Sequence, residues 1–278
     1  MNAIAEFFGS IPSYQRTLIL AAGFVLMWMI ESAIPLFRNL TNKAGHTGVN
    51  LFFTLTTLIV NFIFAVLLVK ASDFTVRNEF GILYLVNLPL WLHLILGLMI
   101  LDLIGAYLVH LIEHKVKWMW KFHIIHHTDP HVNATTALRH HPGESVFRAT
   151  FLIMAILIAG VPWWIVMLYQ SCSALLSQFN HANIRLARWL DEGIQWIIVS
   201  PNMHKVHHHY VMPTTDTNYG NIFSFWDRIF GTFVQKDMKE LQYGLDIYPE
   251  KEANSHLPKL LKIPFEKYRA PRGSKFGK

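Results

Sequence analysis

The chain has 278 residues, of which 53% are hydrophobic and only 15% charged, with a positive mean hydropathy. Soluble domains carry nearer a quarter charged residues, so the balance points to a membrane and away from a soluble enzyme. A net charge of +6 marks cytoplasmic loops and tails in such a chain, not a nucleic-acid surface. The single cysteine, Cys172, excludes an internal disulfide, a Cys-based zinc module and an iron–sulfur cluster.

In chain order, Thr17 to Phe37 is apolar except for Glu31, starts too deep for a signal peptide and reads as a first span. Leu51 to Val69 and Ile82 to Leu101 are uncharged runs long enough to cross a hydrocarbon core of ~30 Å. A fourth run, Phe151 to Ser177, is broken by Gly160-Val161-Pro162. Histidines crowd both sides of it: 13 of the 16 in the chain lie between His110 and His209. If both sides share one centre, the run must return to the face it left. A membrane hairpin over 149–180 satisfies this; one tilted, kinked span is the alternative. Lys115, Lys117, Lys121, Arg185, Arg188 and the tail to Lys278 place the histidines and the C-terminus on the cytoplasmic face. The expected organisation is a transmembrane region over 1–109, a histidine region over 110–235 and a basic tail over 236–278, near anionic lipid. The expected fold class is an all-α integral membrane protein with a cytosolic helical cap.

His110 and His114 are four apart, and on a helix that spacing puts both rings on one face. His123, His126 and His127 form HxxHH, and His204, His207 and His208 repeat it. One such motif alone is often a solvated or capping cluster. Eight histidines on three faces exceed the four ligands of one zinc and suit two metals. Imidazole accepts iron, zinc, copper or nickel, so ligand type does not choose among them. The Glu-x-x-His of soluble di-iron bundles does not occur.

The ordered series HLIEH (110–114), HIIHH (123–127), NATTALRHHPGE (133–144), NHANI (180–184), PNMHKVHHH (201–209) and NYGNIFSFWDRIFGTF (218–233) resembles the fatty acid hydroxylase, or sterol desaturase, superfamily. The resemblance covers roughly residues 100–235. It implies two iron ions, O2 as co-substrate and oxidation of a C–H bond in a fatty acyl lipid, sterol, sphingoid base, carotenoid or ether lipid, with hydroxylation preferred over desaturation. The implied metal ligands are His110, His114, His123, His126, His127, His204, His207 and His208, joined by His141 and His181. Leu111 stands where many members carry arginine. No nucleotide-binding glycine motif is present, so the resemblance also implies a separate electron donor, cytochrome b5-like or ferredoxin-like.

Metal-bound histidines usually donate their other ring nitrogen to a carboxylate or carbonyl. Asp102, two turns before His110, is the foremost candidate for this, with Glu113, Asp129, Glu144, Asp216 and Asp227 behind it. Asn133 and Arg139 are placed to brace the intervening loop. His131, His140 and His209 fall beside the pattern, and His46, His93 and His256 read as unrelated to the site. The run Trp189 to Val199 suggests a helix in the headgroup region, and Gly231 a turn under the cap. Two other readings stay open. His110-Leu-Ile-Glu113-His114 matches the inverted zinc-peptidase motif H-x-x-E-H, and a non-catalytic metal-binding transporter would also collect histidines.

Overall fold

The computed structural model describes residues 1–38, 43–249 and 255–276. The architecture is helical throughout, with isolated bridges but no strands among the described residues. Prolines set five of the starts, as expected where a missing N–H costs nothing. Pro12 precedes α2 (Ser13–Ala33), Pro89 precedes α4 (Leu90–Lys115), Pro142 opens α6 (Pro142–Ala159), Pro162 precedes α7 (Trp163–His181) and Pro201 opens α9 (Pro201–His207). The remaining helices are α1 (Asn2–Ser10), α3 (Lys43–Arg77), α5 (Lys117–His127), α8 (Arg188–Ile194), α10 (Phe225–Ile229) and α11 (Leu257–Lys262).

Four of these, α2, α3, α4 and α6, are long and apolar enough to cross a membrane. Their outward faces carry Leu18, Val25 and Trp28 on α2 and Leu55, Leu58, Phe62 and Ile63 on α3, all exposed. An apolar surface of that extent is stable only against lipid. The protein is an integral membrane protein. The 35-residue α3 is about 52 Å long, well beyond the hydrocarbon thickness. Near its start Asn50 donates to Thr135 in the cap; near its end Ser72 donates to the Val161 carbonyl. Those anchors are 22 residues, about 33 Å, apart along the helix.

Val161 belongs to the turn between α6 and α7, so this turn lies a membrane's thickness away from the cap. The chain then returns: Glu144 at the start of α6 and His181 at the end of α7 both meet the cap histidines. The two halves of the broken apolar run are therefore arms of 18 and 19 residues, because helix continues into polar residues at both ends. Gly160 makes the turn in the left-handed region (φ +77°), and Gly81 (φ +122°) packs against it so closely that a Cβ there would lie 2.4 Å from the Gly160 Cα. His93 caps the Gly160 carbonyl at 3.0 Å, which gives this histidine a role remote from the metal candidates.

Helix α4 packs against both arms, with Gly97 against Val161 and Ile165, and Gly105 against Leu152 and Tyr169. Small residues allow such close approach between helices in a membrane. The third span starts at Leu90 instead of Ile82, because Pro89 disfavours helix at Leu88. It runs on to Lys115, so His110 and His114 ride on the spanning helix itself. Residues Leu103–Leu108 form a wide π turn that admits an extra residue and rotates these histidines relative to the membrane-packed face.

The tail does not trail away from the cap. Leu245, Tyr248, Leu260 and Ile263 pack with Trp120, Ile124 and Ile125 of α5 and with Val49 and Phe53 of α3. Apolar residues spaced among the lysines supply this contact, which the charge pattern alone concealed. Helix α8 is shorter than the 189–199 run, but Trp189, Trp196 and Ile197 are exposed on that flank. Helix α1, beside Trp164 at the start of α7, had no counterpart among the expected elements.

Candidate metal centre

Two groups of buried histidines form where α4, α5, α7 and α9 meet. His110, His114, His123, His127 and His207 make a group of five, and His126, His181, His204 and His208 a group of four. Within each, one ring nitrogen per residue lies within 4.8 Å of all the others.

Helical phase explains the partition. At about 100° per residue, positions i and i+4 are 40° apart while i+3 lies 60° to the other side. His123 and His127 accordingly enter the first group and His126 the second. His204 and His208 enter the second and His207 the first. The adjacent pairs 126/127 and 207/208 are each split, so the groups abut, with the His127 and His208 rings 4.8 Å apart.

The hydrogen bonds fix the free lone pairs. The Nδ1–H groups of His110, His181 and His207 donate to the carbonyls of Tyr219 (2.9 Å), Ser177 (2.7 Å) and Thr217 (2.7 Å). His123 donates Nδ1–H to Glu144 at 2.8 Å. A carbonyl only accepts, so these neutral rings carry their bare lone pair on Nε2. Burial first, then neighbouring imidazoles, pushes His123, His126, His127, His204 and His208 well below the ordinary histidine value; His207 follows under burial and His114.

The result is a set of neutral lone pairs facing one another. His110 Nε2 and His127 Nε2 each lie 3.1 Å from His123 Nε2; His126 Nε2 and His204 Nε2 lie 3.1 and 3.0 Å from His181 Nε2. His207 Nε2 and both ring nitrogens of His208 are buried without any partner. Orphaned acceptors at such separations repel and are costly to bury. A cation in each group reverses the sign of that interaction, and imidazole nitrogen is a suitable donor for a transition metal. The residues present fit two metal ions.

The second layer is a carboxylate–guanidinium chain. Glu144 accepts from His123, from His140 Nδ1 at 2.7 Å and from Arg148 Nε at 2.9 Å; Arg148 also donates to Glu113 at 2.7 Å. His140 stacks on His126 with ring centroids 4.7 Å apart, so it touches the second group directly and the first through Glu144. Asp216 lies 3.5 Å from His114 Nδ1 and accepts from Lys115 and from the Tyr219 hydroxyl. Asp227 accepts from the backbone N–H of Tyr219 and Gly220, holding the loop whose carbonyl receives His110. Burial raises Asp227 to about 6 against these hydrogen bonds.

Two expectations are corrected. Asp102 does not orient a histidine. It is fully buried and accepts from the N–H groups of Ile222 and Phe223 and from the Trp226 indole. The π turn after Asp102 removes the simple two-turn alignment with His110, and the Tyr219 carbonyl takes that role. His141 joins neither group: its Nδ1 accepts from Gly143 N–H and caps α6, with the ring against Phe122.

Arg139, fully buried, donates to the Ile125 carbonyl, Asn50 and Thr128, bracing the end of α5, and Asn133 closes the adjoining turn through Thr135. His46, read as unrelated, binds Asp129 at 2.8 Å, and Asp129 holds Thr136 in the same loop. His209 accepts from Gln242 N–H, and His256 is exposed. The backbone acceptors leave no mark in a sequence. Of the second layer, the sequence offered the carboxylates Glu113, Glu144, Asp216 and Asp227 as candidates, while Arg148, at helical spacing from Glu144, was not among the expected residues.

A family model described as fatty acid hydroxylase matches residues 94–232, half of the chain and the whole of this histidine assembly. This chain belongs to the fatty acid hydroxylase family. Among curated relatives, the chain is 35% identical to an alkylglycerol monooxygenase of Xenopus tropicalis over 51% of its own length and 30% of that protein. It is 26% identical to an ornithine lipid hydroxylase of Rhizobium tropici over 52% of its length and 43% of the relative, and 30% identical to the human alkylglycerol monooxygenase over 51% and 30%. The chain thus spans less than half the length of each of these relatives. No solved structure matches.

Proposed function

We propose that this family member is a membrane oxygenase that holds two iron ions and uses O2 and two electrons to hydroxylate a C–H bond of a lipid. The observation that carries the reading is the pair of abutting, buried groups of neutral imidazoles with opposed lone pairs. The names of the relatives support the reaction class, and at a site built of imidazoles O2 activation calls for a redox-active metal, which zinc is not. The metal pair would supply O2 activation.

The chain's own residues hold it. His110, His114, His123, His127 and His207 would bind one ion and His126, His181, His204 and His208 the other. Glu144, anchored by Arg148, keeps His123 in the tautomer that presents Nε2, and the carbonyls of residues 177, 217 and 219 do the same for His181, His207 and His110. Burial of every ligand excludes bulk water from the oxidising centre. His110 and His114 stand at the end of a spanning helix, which supports access of an apolar chain to the centre from the bilayer. The lysine and arginine distribution supports a cytoplasmic cap and C-terminus, where a separate electron donor would meet them.

The peptidase alternative fits poorly. Glu113, its required base, is engaged by Arg148, and its two zinc ligands already share a group with three further histidines.

The test is metal content and Mössbauer spectroscopy on protein grown with iron-57, with lipid profiling of cells with and without the gene. Two coupled irons per chain and an O2-dependent hydroxylated lipid are expected. His126→Ala and His127→Ala should each remove one iron, from different groups. Zinc alone, with no O2-dependent turnover after iron reconstitution, overturns the proposal.

A further inference from the structure

We propose that the strap of residues 266–276 is the docking surface for an acidic one-electron carrier protein, and that Tyr268 and Trp120 pass its electrons to the five-histidine group. The inference rests on the oxygenase reading. Hydroxylation inserts one oxygen atom of O2 into the C–H bond and releases the other as water. The C–H bond supplies two electrons; two more, with two protons, come from outside. Two molecules of a one-electron donor, each oxidised once, balance the reaction.

Trp120 is completely buried and sits against the group itself, with its ring 4.7 Å from His114, 5.3 Å from His127 and 6.0 Å from His123. Among the described residues, no other indole lies within ring contact of these three histidines. Lys117, one turn before Trp120 on α5, places its ammonium over the Tyr268 ring at 4.7 Å, which brings Tyr268 to the same face. Tyr268 also packs against the apolar cluster that holds Trp120. Tyr268 is half-buried, so Tyr268 and Trp120 stand in order between the surface and His114 of the first group.

The surface at its outer end is cationic. Lys267, Arg269, Arg272 and Lys275 are all exposed, and none forms an ion pair among the described residues; Glu266 is the one acidic residue of the strap. A patch of one sign attracts a partner of the other and speeds encounter. The strap's neighbours are cap residues: Arg269 lies over Tyr248, Arg272 N–H donates to Asp246 and Gly273 lies close to Met212. These contacts seat the strap on the cap, where Tyr268 and Phe276 pack over Trp120 and the cap end of α3, which favours a soluble protein over a lipid surface.

The test uses iron-loaded full-length protein in nanodiscs, with the reduced soluble domain of cytochrome b5 as the acidic probe, its oxidation followed by stopped-flow absorbance. The triple variant Lys267→Glu/Arg269→Glu/Arg272→Glu should slow oxidation at low ionic strength by about tenfold or more and flatten its salt dependence. Trp120→Phe and Tyr268→Phe, at unchanged iron content, should lower the limiting rate at saturating probe and leave half-saturation unchanged. Wild-type rates and salt slope in the triple variant overturn the docking surface. So does lost binding to anionic vesicles with donor oxidation intact, which reassigns the strap to the membrane. Unchanged limiting rates in both aromatic variants overturn the path. Dithionite-driven product formation separates the two proposals: if wild type forms product with dithionite and the probe is not oxidised, the strap assignment fails and the oxygenase stands. Without product under dithionite, the oxygenase itself fails.

Discussion

Replacing Glu144 with glutamine isolates the layer behind the metal ligands. One oxygen of Glu144 takes three donors, from His123, His140 and Arg148, at 2.8, 2.7 and 2.9 Å. Glutamine keeps the shape and one acceptor oxygen but loses the charge, so His123 is left with a neutral, weaker partner that must also serve His140 and Arg148. Arg148 retains Glu113, which keeps the cost to the fold below the ~3–5 kcal/mol of an unpaired buried charge. Loss of a histidine's outer partner lowers metal affinity by roughly ten- to a hundredfold, equivalent to about 1.4–2.8 kcal/mol. The effect belongs to the group of five, because His123 is not a member of the other. Dialysis against graded chelator, with metal counted per chain and helicity checked by circular dichroism, should show the variant passing through a one-metal plateau at tenfold or more lower chelator than wild type. Retention of both metals at the wild-type chelator concentration would refute the assigned role of Glu144.

Three further outcomes are expected. Asp102→Asn should lower the unfolding temperature, since a single amide oxygen cannot serve two backbone N–H groups and the Trp226 indole, yet leave two metals bound; metal loss without destabilisation would return Asp102 to the ligand-orienting role. In metal-free protein, six cap histidines (123, 126, 127, 204, 207 and 208) have folded pKa values well below the unfolded 6.5. The unfolded chain therefore binds more protons below pH 6.5, and stability, complete above that pH, falls as pH drops through it. The ceiling is about 1.4 kcal/mol per pH unit per histidine; an unfolding free energy flat from pH 7 to 5 contradicts the arrangement. Gly81→Ala at the hairpin turn should cost more than about 2 kcal/mol through backbone overlap at positive φ, whereas Gly193→Ala, whose Cβ meets nothing within 4 Å, should stay near zero. Equal thermal shifts in the two variants would remove the close-packed turn from the account.

The sequence by itself determined what depends on type and spacing. Uncharged runs of about twenty residues must be helices in lipid, because no other partner exists there for the backbone. HxxxH and the i, i+4 members of HxxHH on helices gather rings on common faces, and the break at Gly160–Pro162 between two histidine regions favoured a chain that turns back, with one kinked span left open. Helical phase separates i+3 from the i, i+4 pair within each HxxHH, but tertiary structure alone decided which part of one motif meets which part of the others, because the relative rotation of four helices is encoded by no local pattern. It moved Asp102 away from His110 through the π turn at Leu103–Leu108, set His141 to capping α6, and brought His140 and Glu144 to His123. The tail's lysines read as a solvated segment, while the leucines among them pack onto α5. Charge patterns report what faces water, but packing depends on partners brought together from distant parts of the chain.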